Sequence, residues 1–191
     1  MKCKVTNKII KPFMSFGKMP LANGFLEKEN FNKEFFFNLE VGFSEELSLF
    51  QLNEFPNPSK MFNKNYPFFS GSSEYMKKHF FNYFNWIKKN YLNSKSNIIE
   101  IGSNDGTMLV NFKNEGLDYI GFEPSMSVAK KAKEKNINTL VEFFCYKNVS
   151  LLSKFKHNTD VICAANVVCH IPDITDLIKS VDLMLTSKGV F

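Results

Sequence analysis

No arginine occurs anywhere in this chain of 191 residues, so lysine carries all of its fixed positive charge. The planar fork that clamps phosphates and reads guanine edges is therefore missing, which argues against nucleic-acid recognition. The lysines behind the formal net charge of +5 are interleaved with acids, as in KKAKEKN, and read as a solvated face rather than a basic stripe. Cysteine is sparse and scattered. Cys3, Cys145, Cys163 and Cys169 form no Cys-x-x-Cys pair, so spacing defines neither a disulfide framework nor a complete zinc site. Such thiols suit a reducing cytosol. Long apolar runs are also absent: none has the length of a signal-peptide core or a membrane span, and a soluble cytoplasmic protein without a membrane partner is expected.

What the chain has in quantity is phenylalanine, 22 residues of it, within a hydrophobic content of 44%. That is ample for a packed core and excludes disorder as the starting assumption. The length accommodates one ordinary domain, or a small module joined to a modest second one. The pattern favours the second. Residues 1–72 are rich in Phe, Asn, Pro and Gly, with short apolar runs such as EFFFNLEVGF and LSLFQL that suggest short strands in a loop-rich module. The irregular stretch NEFPNPSKMFNKNYPFFSGSS closes it, because its prolines and glycine interrupt regular structure.

Over residues 73–94 the period changes to three or four, with Met76, Phe80, Phe84, Ile87 and Tyr91 on one stripe. This predicts an amphipathic connecting helix capped by Ser72 or Ser73, whose aromatics pack and do not bind a ligand. His79 lies on the same helix, as a structural residue or at a substrate rim.

From residue 95 to residue 191 strands alternate with helices. NIIEI, DYIGF, NTLVEFF and DVICAA read as strands. GTMLVNFKNEG, closed by Gly116, SMSVAKKAKEKN and ITDLIKSVDLMLTSKG read as helices, with another strand opening at VF. This alternation predicts an α/β fold, a Rossmann-like doubly wound parallel sheet covered on both faces. A sheet stopped at VF would leave an apolar edge, so an incomplete domain and a longer parent protein are expected.

The stretch IIEIGSNDGT, residues 98–107, carries the chemistry. Asp105-Gly106 is a strong hairpin dipeptide, but Met108, Leu109 and Phe112 continue with helical spacing. A dinucleotide fingerprint needs a middle glycine that the Ser-Asn-Asp between Gly102 and Gly106 does not provide, and an aspartate near a pyrophosphate is electrostatically awkward. S-adenosyl-L-methionine fits better. It has no phosphate, and its amino-acid head and sulfonium suit Glu100, Asn104 and Asp105, with Gly102 and Gly106 allowing close backbone approach. Beyond the second strand, in GFEPS, Glu123 stands where a carboxylate can accept both ribose hydroxyls. The alternative is that Glu123 caps the helix starting at Ser125 and Asp105 serves a helix dipole. NAD remains the second-ranked cofactor.

Together EIGSNDGT, GFEPS, ANVVCHIPD and the upstream MFNKNYPFFSGSSEYMKKHF resemble the sugar C-methyltransferases, class I enzymes that use S-adenosyl-L-methionine on nucleotide-linked keto-deoxysugars. The resemblance covers nearly the whole chain. It implies an N-terminal zinc module built from two Cys-x-x-Cys pairs. Here only Cys3 occupies such a position; Thr6 stands in for its partner, and Ser44 and Leu47 for the second pair. One thiolate cannot make a tetrahedral zinc site, so no metal is expected.

The resemblance further implies an active-site His170 and Tyr66, whose alternatives are a loop histidine ahead of a helix and an aromatic anchor between the modules. By position, Asn166 at the end of the fourth strand suits the methionine portion or the orienting of His170, and Phe143 and Phe144 after the third strand suit the adenine. The chemistry the resemblance implies is proton removal next to a ketone and attack of the enolate carbon on a cationic methyl. A Glu/His/Tyr cluster that completes the sugar site in this family lies beyond the matched segment. An inactive remnant that binds S-adenosyl-L-methionine or another protein is the competing reading, and the oligomeric state stays open.

Overall fold

The computed structural model describes residues 1–22 and 25–191. The chain divides into two compact units, one of Met1–Phe62 with Pro172–Ile174 and one of Asn63–Ile171 with Thr175–Phe191. The division falls upstream of the boundary expected at residue 72, because backbone groups of residues 68–71 are hydrogen-bonded into the second unit.

In the first unit β1 (Pro12–Pro20), β2 (Phe36–Ser44) and β3 (Leu49–Leu52) form an antiparallel sheet in that order. β2 and β3 coincide with the two apolar runs read as strands. β1 has no counterpart in that reading. Every one of its residues is exposed, so no inward-facing series imposes alternation on its sequence. A short helix α1 (Pro58–Met61) follows, with the Asn57 side chain accepting from the Ser59 N–H at 3.0 Å.

The second unit begins its regular structure with α2 (Glu74–Tyr91). Of the two serines expected as cap it uses Ser73, whose hydroxyl accepts from the Met76 N–H at 3.3 Å. Phe80, Phe84 and Ile87 are its buried stripe, each contributing roughly 1.5–3 kcal/mol by leaving water. Phe84 meets Phe112 edge-on, with ring centroids 5.1 Å apart.

The strands β4 (Asn97–Ile101), β5 (Asp118–Phe122), β6 (Thr139–Leu140), β7 (Thr159–Cys163) and β8 (Leu185–Val190) form one parallel sheet in the order β6-β5-β4-β7-β8. This is a Rossmann-like order, with its reversal between β4 and β7. The intervening helices are α3 (Leu109–Asn114), α4 (Met126–Glu134), α5 (Tyr146–Val149) and α6 (Ile174–Met184).

Two apolar clusters cover the two faces. Ile98, Val161 and Cys163 join the α2 and α3 residues on one; Ile99, Ile101, Phe122 and Ile162 join Leu177 and Met184 on the other. Successive residues of β4 thus alternate between faces, as pleating requires.

Two expected boundaries move. NTLVEFF pairs only through Thr139 and Leu140, because β5 offers partners at Gly121 and Phe122 and the chain then turns Phe144 into the core against Phe122. The helix expected to run through Lys188 stops at Met184, and β8 starts at Leu185. Pairing of Leu185 with Thr159 and of Val190 with Val161 overrides a helix-compatible sequence. Gly116, at φ +71°, follows the end of α3 as read.

Candidate functional site

Three loops meet at the carboxyl ends of β4, β5 and β7, where the strand order reverses and open α/β sheets bind their ligands. The first is the glycine turn after β4. Gly102 has φ +65°, and a Cβ there would stand 2.5 Å from Val167 Cγ2, so a side chain is excluded both by backbone conformation and by the loop after β7. Gly106, also left-handed, lies against Ile137.

Glu123 ties the second loop to the first. Its Oε1 accepts from the Ser125 N–H at 2.7 Å and its Oε2 from the Asn104 N–H at 3.1 Å. The helix-cap alternative is therefore partly realised at Ser125. Burial raises the Glu123 carboxyl above its ordinary range, while the Ser125 and Asn104 hydrogen bonds oppose the shift. A carboxylate has about four acceptor positions, and these two N–H groups leave room for two more donors.

Tyr66 stands within reach of the Glu123 charge. Burial first, and that charge second, raise its hydroxyl above the usual tyrosine range. Its ring packs edge-on with Phe68 at 5.5 Å.

Asn104 and Asp105 turn their side chains to residues 68–71. The Asn104 Oδ1 accepts from the Ser70 N–H at 2.8 Å and its Nδ2 donates to the Phe68 carbonyl at 3.1 Å. The Asp105 carboxylate accepts from the Gly71 N–H at 3.0 Å and from the Thr107 hydroxyl at 2.6 Å, with Lys135 Nζ 3.3 Å away.

Glu100 is buried in the turn-side half of β4. Strand parity places it on the Ile98 side of the sheet, 4% exposed, with its Oε2 lacking a hydrogen-bond partner among the described residues. Burial, with Asp105 and Glu123 as lesser causes, pushes this carboxyl well above the carboxylate range. The same environment raises the Cys163 thiol.

The third loop carries Asn166, left-handed at φ +55°, and His170 at the end of a 3-10 turn Val168–His170; both are exposed. Phe143 is 38% exposed and free to meet a planar ligand, whereas Phe144 is buried in the core and is corrected from an adenine neighbour to a packing residue. His79 is exposed on α2 beside Phe80. Sequence reading did not anticipate Ser70, Gly71 and Lys135 around the turn, since they approach it from distant parts of the chain.

Comparison with known proteins fits this arrangement. Residues 75–191 match the family model described as "Methyltransferase domain", more than half of the chain. The chain belongs to this family, the methyltransferases that depend on S-adenosyl-L-methionine. Residues 3–62 match a model described as "Putative zinc binding domain". C-methyltransferase NovU of Streptomyces niveus is 23% identical over 180 residues, covering 93% of this chain and 43% of that protein. Carboxy-S-adenosyl-L-methionine synthase of Nautilia profundicola is 33% identical over 111 residues, covering 55% of this chain and 46% of that protein. The chain thus spans less than half the length of either relative. A solved structure of a candidate S-adenosyl-L-methionine-dependent methyltransferase from Methanococcus maripaludis shares the fold, with a TM-score of 0.51, 14% identity, and coverage of 73% of this chain and 65% of that one.

The residues at the glycine turn fit the family's cofactor: a cradle too tight for a Cβ, and a carboxylate with spare acceptor positions beside it. The first unit does not fit zinc. Among the described residues no group of three or more His, Cys, Asp and Glu side chains could hold a metal ion. The Cys3 sulfur instead accepts from the Thr6 N–H at 3.5 Å and from the Gln51 Nε2 at 3.4 Å, and Gln51 Oε1 accepts from the Lys4 N–H at 2.7 Å. Hydrogen bonds from the Thr6 side chain and backbone, then from Gln51, bring the Cys3 thiol down to about 6. Since these hydrogen bonds close the loop with residues that do not make up a metal site, a chelator such as EDTA is expected to leave the thermal unfolding midpoint of the chain unchanged. A fall in that midpoint, reversed by zinc, would contradict this.

Proposed function

We propose that the chain binds S-adenosyl-L-methionine at the turn after β4 and serves methyl transfer to a carbon atom of a small keto compound. A nucleotide-linked keto-deoxysugar is the substrate class that the resemblance and the similarity to NovU favour. The observation that carries the reading is Glu123, at the carboxyl end of β5, bonded to the turn through Asn104 N–H and retaining acceptor positions for two ribose hydroxyls. When bound, the cofactor supplies an electrophilic methyl group on a cationic sulfur. Gly102 offers backbone at contact distance, Phe143 a face for the adenine, and Asn166 a polar side chain for the amino-acid portion.

His170 and Tyr66 are the groups for the substrate. His170, at the carboxyl edge of β7, is the base that takes the proton from the carbon beside the ketone. Tyr66 donates to the oxygen on which negative charge develops. Its ionisation is pushed to higher pH, which suits that role because the hydroxyl stays protonated through neutral and mildly alkaline pH.

Calorimetric titration of the chain with S-adenosylhomocysteine tests the reading, with NAD(H) in parallel. Saturable heat with the first and none with the second is expected. Heat with NAD(H) alone, or with neither, would overturn the cofactor assignment.

A further inference from the structure

Consecutive side chains of the glycine turn receive consecutive backbone N–H groups of a segment more than thirty residues upstream: Asn104 takes Ser70 N–H, and Asp105 takes Gly71 N–H. The clasp is closed from the other side by Asn104 Nδ2, which donates to the Phe68 carbonyl. It is sterically tight as well. A Cβ on Gly71 would stand 2.5 Å from Asp105 Oδ2 and 2.8 Å from Thr107 Oγ1, so a larger residue there would have to displace these side chains. Asp105 is held in turn by the Thr107 hydroxyl and by Lys135, whose Nζ also donates to the Asp105 carbonyl at 2.9 Å.

This accounts for all the side-chain hydrogen-bonding of Asn104 to the segment with its backbone N–H kept for Glu123. One residue, left-handed at φ +50°, therefore joins the carboxylate proposed for the ribose to the segment that carries Tyr66. These bonds give both side chains a structural use that needs no ligand, and losing them would leave the Ser70 and Gly71 N–H groups without their acceptors, which is costly where they are partly buried.

We infer that Asn104 and Asp105 are positioning residues: they fasten residues 68–71 to the cofactor turn and so hold Tyr66 beside Glu123, rather than touching the cofactor themselves. The inference rests on the cofactor reading above for its functional meaning, but the clasp itself can be tested without it.

The test uses the full chain labelled with ¹³Cζ-tyrosine, with the Tyr66 resonance assigned by its loss in Tyr66→Phe. Asn104→Gly keeps the left-handed backbone and the N–H to Glu123 while deleting both side-chain bonds to the segment. Gly71→Ala attacks the same clasp from the opposite side. In both variants the Tyr66 resonance is expected to move and its titration midpoint to fall toward that of an exposed tyrosine, since Tyr66 leaves its partly buried place near Glu123. A Tyr66 resonance and titration unchanged in the two variants overturns the inference, whatever happens to ligand affinity.

S-adenosylhomocysteine titrations on the same samples separate the two proposals. Asn104→Gly is expected to weaken binding less than about fivefold, because Glu123 and Gly102 stay in place. A wild-type chain that binds no S-adenosylhomocysteine sinks the cofactor reading while leaving the Tyr66 comparison valid. A loss of more than fiftyfold in Asn104→Gly with Tyr66 unmoved would make Asn104 a ligand contact instead.

Discussion

Glu123→Ala is expected to weaken S-adenosylhomocysteine binding by a factor of about 10² to 10⁴, since each of two hydrogen bonds to a charged acceptor contributes roughly 1.5–3 kcal/mol and about 1.4 kcal/mol is tenfold. The substitution also removes the acceptor of the Asn104 and Ser125 N–H groups. Each of these, if left buried and unpaired, costs about 1–3 kcal/mol of stability. Loss of binding through loss of fold must therefore be separated from loss of a ligand contact. Glu123→Gln reduces the problem: it keeps the shape and one acceptor oxygen, so one of the two N–H groups stays paired, and it should retain the fold by circular dichroism while binding at least tenfold more weakly. If Glu123→Ala is folded and binds within threefold of the wild type, the ribose assignment is wrong.

The charge environment gives this prediction its sign. Burial raises the Glu123 carboxyl even before a ligand arrives, which weakens it as an anion at mildly acid pH. Binding that uses the ionised form should weaken as the pH falls through that raised range, and Glu123→Gln should lack this dependence.

Much of the second unit was legible because its elements carry their own local periodicity. The α2 stripe of Phe80, Phe84 and Ile87 shows a spacing of three and four that only a helix can put on one side. The alternation of apolar strands with helix-length gaps predicted the parallel sheet, and the position of Glu123 after β5 followed from counting beyond Gly102. What could not be read were relations between distant segments. Asn104 and Asp105 look like ligand groups when the turn is viewed alone; their hydrogen bonds to Ser70 and Gly71 appear only once the chain has folded back. β8 was placed late because Leu185 and Thr186 extend a plausible helix, and only pairing with β7 decides otherwise. β1 was missed because a strand exposed along its whole length has no inward positions to mark.

Glu100 shows the same limit within a single strand. In NIIEI every residue is buried, so the sequence gives no alternation by which to tell which side Glu100 faces. Next to a glycine turn, an acid invites assignment to the ligand. The pleat instead puts it with Ile98, Val161 and Cys163, in an apolar cluster that offers its Oε2 no donor among the described residues.

The consequence is a stability that falls with rising pH. Below about 4.5, the ordinary value for this side chain, the carboxyl is protonated whether the chain is folded or not, and burial carries no ionisation penalty. Above it the unfolded chain releases the proton while the folded one retains it, so the unfolded state gains by up to about 1.4 kcal/mol per pH unit until the raised folded value is passed. Glu100→Gln removes this titration and keeps the volume. Urea unfolding at pH 5, 6 and 7, followed by circular dichroism, is expected to show the wild type losing stability relative to the variant as the pH rises over the series. Raised Glu123 contributes in the same direction to both proteins, and because the two carboxyls interact, the difference between them reports Glu100 together with its effect on Glu123. Parallel curves for the two would mean that Glu100 is ionised in the folded chain.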